Sequence, residues 1–138
     1  MKHAHHAFDT DVPGKDSYEH RRAGATEVLV SSANRWALVH EHRGAPETGI
    51  EELIGRMTPV DLVLVEGFKT EPNDKLEIHR PSIGKPLLCA NDSHVVAVAS
   101  NEPLPALPVP SLDLDDVPRI ADFILRHCGL DARPARAG

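Results

Sequence analysis

The chain has 138 residues, the length of a single domain, with 41% hydrophobic and 26% charged residues, which excludes a disordered composition. Aromatic residues make up only 4%, so any core is built from Val, Leu, Ile and Ala. A net charge of −6 argues against a nucleic-acid partner, which needs a basic footprint, but leaves room for one phosphorylated ligand held by backbone N–H groups.

The chain opens with MKHAHHAFDTDVPGKDS, a dense run of imidazoles and carboxylates. After Pro13-Gly14, with Asp16 or Ser17 as N-cap, SYEHRRAGA reads as a short helix ending near Gly24. TEVLVSS and RWALVHE are strands, and RGAPETG is a turn. In IEELIGRM, Ile50, Leu53, Ile54 and Met57 recur at helical spacing and predict a helix that buries one face. Val60 and Leu62 to Val65 form a continuous apolar run, the mark of a strand buried on both faces in a parallel sheet. KLEIHRP alternates as a weaker strand, KPLLCAND is short and apolar, and HVVAVAS is a second doubly buried run. NEPLPALPVPS is a surface connection or an extended edge. Val117, Ile120, Ala121, Ile124 and Leu125 make the stripe of a last helix, capped by Asp115 or Asp116 and ended by Gly129. LDARPARAG is a frayed tail. Buried strands alternating with helices predict an α/β domain over residues 1–129, with a mostly parallel sheet flanked by helices. Cys89 and Cys128 have no paired spacing and read as reduced thiols of a cytoplasmic protein. The apolar runs are too short to span a bilayer.

In open parallel sheets, ligands bind beyond the carboxyl ends of the strands. Two apolar runs end in polar pairs there, Glu66-Gly67 and Ser100-Asn101. The opening stretch joins them if it is the carboxyl end of a third strand. Glu66 either orients water or a magnesium ion, or simply leaves the core for solvent. Gly67 would let a ligand approach the backbone. Asp9 and Asp11 either reach a hydrated ion or form an Asx-type turn before Pro13. His3, His5 and His6 are either transition-metal ligands or ordinary surface imidazoles, since a site needs three or four converging ligands. Gly14-Lys15-Asp16-Ser17 is not a phosphate loop: the Walker A pattern is Gly, four residues, then Gly-Lys-Ser/Thr, and these 138 residues contain none.

KHAHHAFDTDVPGKDSYEHRRAGA, VLVSSANRWALVHE, DLVLVEGFK, KLEIHR and HVVAVASN, in that order, resemble the MobB family of molybdopterin-guanine dinucleotide biosynthesis proteins. The resemblance implies a P-loop NTPase fold that binds GTP with Mg²⁺, is at most a weak GTPase, and forms homodimers without nucleic acid or membrane. It also implies assistance to the guanylyltransferase that attaches GMP to molybdopterin. On this resemblance Glu66 and Gly67 match a Walker B-like strand end, and Asp9 and Asp11 an acidic pair near Mg²⁺. Glu66 and Asp11 would be the catalytic carboxylates, and Asp9, Asp11 and Glu66 the metal contacts. Lys2, His3, His5 and His6 match the strand end beside the nucleotide, and Ser100 and Asn101 the loop near the base. Family members begin with a strand, a Walker A loop and a helix, so the expectation is an N-terminally truncated member with impaired GTP binding. The alternatives are a nucleotide-free adaptor and a histidine-based metal-binding protein.

Overall fold

In the first helix, α1 (Asp16–Arg22), Asp16 and Glu19 stand in the first turn and His20, Arg21 and Arg22 in the last, the order that the helix dipole favours. The computed structural model describes residues 1–4 and 8–130 and divides into two compact units, Met1–Lys69 and the stretch from Thr70 onward. The N-cap position of α1 is Lys15, without a side-chain cap. Ser17, expected to cap, instead donates its hydroxyl to Asp11 at 2.8 Å.

In the first unit, β1 (Glu27–Ser31) and β2 (Trp36–His40) pair antiparallel, with Leu29 opposite Leu38. The hairpin direction follows from its short loop, where Ser32 Oγ accepts the amides of Asn34 and Arg35 and donates to the Arg35 carbonyl. The helix α2 (Ile50–Gly55) forms on the predicted spacing, but only Ile50 is buried. The expected doubly buried strand at 60–65 does not form a ladder. Val60 and Leu64 are 60% and 62% exposed, and the regular pairing is a single parallel bridge between Lys2 and Glu66. A strand is buried on both faces only where neighbours and covering layers exist on both sides. Here its partner is the opening tripeptide.

The second unit holds a parallel sheet of three strands in the order β3 (Lys75–His79), β4 (Val95–Ser100), β5 (Ser111–Asp113), with β4 central. Here the continuous apolar run is buried on both faces. On one side of β4, Val95 and Val98 pack with Cys89, covered by Leu87, Leu104, Leu107 and Val109. On the other side, Ala97 and Ala99 pack with Leu112, covered by Leu76, Leu114, Ile120 and Phe123. The Pro-rich stretch, expected as a surface connection or extended edge, covers the core through Leu104, Leu107 and Val109 and leads into β5. KPLLCAND contributes a 3-10 turn, Leu88–Ala90. Its first amides donate to the buried Glu77 carboxylate, Leu88 N at 2.7 Å and Cys89 N at 3.0 Å. The last helix, α3 (Val117–His127), is capped by Asp116, which accepts from Arg119 N at 3.1 Å. Its core contacts are Ile120 and Phe123, whereas Val117 and Leu125 of the expected stripe are exposed. A helix against a three-stranded sheet edge covers a narrower strip than one lying across a wide sheet. Among the described residues no helix is long and apolar enough to cross a membrane.

Candidate functional site

Met1–His3 runs parallel to the end of the 60–66 segment: Met1 N donates to Leu64 O at 2.7 Å, Glu66 N to Met1 O at 2.9 Å, and His3 N to Glu66 O at 2.7 Å. The bridge and its hydrogen bonds thus bring Lys2, His3, Glu66 and Gly67 together at one rim. Lys2 Nζ lies 3.1 Å from Glu66 Oε1, and both side chains are largely exposed. His3 Nε2 meets Glu47 Oε1 at 2.7 Å, and its ring lies 4.6 Å from that of Phe68. Gly67 has φ +95°, and a Cβ there would stand 2.6 Å from His3 Cβ. The glycine was expected to admit a ligand; what approaches it here is His3.

Asp9 and Asp11 also come together, on Arg21. Both Asp9 oxygens lie 2.8 Å from Nη2, Glu41 Oε1 lies 3.0 Å from Nη1, and Asp11 Oδ2 lies 3.3 Å from Nε. The last contact is an ion pair outside hydrogen-bond geometry, since the buried Nε makes no hydrogen bond. The Asx-type turn forms too, with Asp11 N donating to Asp9 Oδ1 at 2.9 Å. The Arg21 hydrogen bonds, then the Asp11 amide, hold the Asp9 carboxyl below its ordinary value, and Asp9 in turn raises Arg21. A cavity of about 680 Å³ opens beside this knot, with His40, Arg43 and Glu47 on its wall. Those groups are engaged: His40 with Glu27 at 2.8 Å, and Arg43 with the carbonyls of Ala25 and Arg21.

This geometry tests the fit of a magnesium-bound triphosphate. Carboxylates that already surround a guanidinium do not present an ion's ligand set, and among the described residues no three His, Cys, Asp or Glu side chains converge to hold a metal. Asp9 and Asp11, as arranged, do not fit a magnesium ion. Glu66 is a single exposed carboxylate. In the second unit, Ser100 closes a local turn, donating to Glu102 O at 2.8 Å and accepting Glu102 N at 3.2 Å, and Asn101 beside it is exposed. His5 and His6 lie outside the described residues. Arg21, Glu41 and Glu47 were missed from sequence. One signal for Arg21 was available: it stands four positions after Ser17, on the same helix face as the hydroxyl that reaches Asp11.

A parallel sheet with a doubly covered central strand and a helix packed on it defines an α/β protein. The fold is shared with a solved structure titled as molybdopterin-guanine biosynthesis protein B, at a TM-score of 0.54 and 24% identity over 83% of this chain and 74% of that one. Residues 1–101 match the family described as Molybdopterin guanine dinucleotide synthesis protein B. The molybdopterin-guanine dinucleotide biosynthesis adapter protein of Escherichia coli K12 is 46% identical over 128 residues, 91% of this chain and 73% of that protein. The protein of the same name from Haemophilus influenzae is 40% identical over 127 residues, 90% of this chain and 68% of its own length. The chain belongs to the MobB family.

Proposed function

We propose that this chain is an adapter of molybdopterin guanine dinucleotide biosynthesis, holding the guanylyltransferase that attaches GMP to molybdopterin. The observation that carries the reading is identity of 40–46% across nine-tenths of the chain to two proteins named as adapters of that pathway. The polar groups of the first unit support it. Three carboxylates neutralise one arginine, and this arrangement organises a surface without supplying a nucleophile or a base. The adapter works in the cytoplasm and as a homodimer; exposed Leu29, Trp36 and Leu38 share one face of the hairpin and supply apolar surface for self-association.

GTP–Mg²⁺ contacts by these residues centre on the rim of Lys2, His3, Glu66 and Gly67. Magnesium is commonly held by one or two carboxylates plus nucleotide phosphates, and Glu66 is the exposed carboxylate available for that mode. Residues 1–138 by themselves contain no Walker A cradle, so their affinity for GTP–Mg²⁺ is weaker than micromolar. Two measurements test the proposal. Mixing the purified chain with the guanylyltransferase of the same organism gives a complex in size-exclusion chromatography with light scattering; two independent peaks overturn the adapter reading. Calorimetric titration with GTP–Mg²⁺ gives no micromolar isotherm; such an isotherm overturns the statement on nucleotide affinity.

A further inference from the structure

The groove between β5 and α3 is unrelated to the rim just described. It encloses about 610 Å³, with Pro110, Leu112 and Phe123 as its apolar part and Arg119, Arg126 and His127 as its cationic part. His127 is fixed: its Nε2 lies 2.7 Å from Asp74 Oδ2, and its ring stacks on Phe123 at 5.9 Å. The guanidiniums differ. Neither Arg119 nor Arg126 has an ion-pair or side-chain hydrogen-bond partner among the described residues, although Asp122 lines the same groove. In a chain of net charge −6, Arg119 and Arg126 outnumber Asp122 in this groove and flank an aromatic ring, which makes a weakly cationic, amphipathic surface. Arginine and aromatic side chains together are the composition of protein-interface hot spots.

We propose that this groove binds an acidic, extended segment of the adapter's partner protein, in which two carboxylates flank an apolar side chain. Arg119 and Arg126 are seven positions apart on α3, about 10 Å along the axis. An extended chain places alternate side chains on one face, so carboxylates at positions i and i+4, about 13 Å apart, share that face with the apolar residue at i+2, and the long arginine side chains take up the difference. The apolar residue between them meets Phe123. Guanidinium pairs carboxylate in a planar, two-point fashion that suits this role. Two exposed arginine side chains about 10 Å apart at their Cα atoms can also converge on one phosphate, so inorganic phosphate is the competing occupant that the test below separates from the peptide. This inference names a surface for the adapter reading and rests on it for the partner's identity.

The probe is a fluorescein-labelled nonapeptide, Ser-Gly-Glu-Ser-Leu-Ser-Glu-Gly-Ser, titrated with the full chain by fluorescence anisotropy. Binding is expected to weaken at least tenfold in R119A/R126A and on raising salt to about 0.5 M, where screening is strong. The variant R119E/R126E is expected to prefer the same peptide with lysines in place of its glutamates. Both arginines are exposed, and circular dichroism checks that the variants remain folded. Equal binding by wild type and R119A/R126A overturns the proposal. So does inorganic phosphate that shifts the amide resonances of 110–112 and 119–127 while the peptide does not. A second arm uses the guanylyltransferase. If wild type and R119A/R126A bind it equally, the groove assignment fails and the adapter reading stands. If wild type ignores the enzyme but captures the peptide through Arg119 and Arg126, the groove stands and the adapter reading fails.

Discussion

Arg21 shows how one side chain can decide what an acidic loop is for. Two aspartates separated by one residue suit an ion in a switch-like loop, and they suit an arginine equally well. A guanidinium has five donors in a fixed fork, so R21K cannot replace it, and both R21K and R21A should lower the thermal midpoint by several degrees in a melting experiment. The pH dependence has a definite sign. Asp9 is held below 3.8 in the folded chain, so its contribution is fully present above that value and is lost as pH falls through the folded value. The stability gap between wild type and R21A should therefore be flat near neutrality and close below about pH 4. Gly67 is a second decisive position. With φ +95° and no space beside His3, G67A should cost on the order of 1–3 kcal/mol in urea denaturation. The sequence marked both aspartates and the glycine, but EHRRAGA does not say which of two adjacent arginines turns toward the loop.

At the scale of elements, two apolar runs of similar composition met different fates. In β4, Ala97, Val98 and Ala99 are fully buried between two packed layers. V98A should cost on the order of 2 kcal/mol, the transfer energy of the lost methyls plus a residual cavity. In the 60–65 segment, Leu64 is mostly exposed, and L64S should change stability by less than about 0.5 kcal/mol in the same denaturation assay. The difference lies in the neighbours. β4 has a strand on each side, a Pro-rich lid over one face and α3 over the other, whereas Val60–Val65 lies beside a tripeptide. Hydrophobic runs announce that burial is favourable; they do not supply what does the burying. Helix positions were more legible, because the dipole-ordered charges of α1 and the Asp116 cap of α3 act within a few residues of chain.

Across the whole molecule, the apolar burial is uneven. Of the seven buried hydrophobic residues among those described, Ile50 belongs to the first unit and the other six to the second. The hairpin of the first unit has two strands, and such ribbons are marginal without packing. Hydrogen exchange should therefore separate the units, with amides of 27–40 exchanging well before those of 95–100. Uniform protection across both would contradict this account of where stability resides. The charge distribution is uneven as well, since a net acidic chain carries Arg119 and Arg126, neither in an ion pair among the described residues, in one groove.

By itself, the sequence determined the α/β class, the helices, the doubly covered β4 strand and the family, because each is carried by local chemistry or by runs of specific residues. Tertiary structure alone decided that Asp9 and Asp11 gather on Arg21, that Gly67 makes room for His3, and that Arg119 and Arg126 share a groove with Phe123. These outcomes depend on which side chains meet across elements. Periodicity orients a face, but the partner on the other side of that face is supplied by a distant part of the chain.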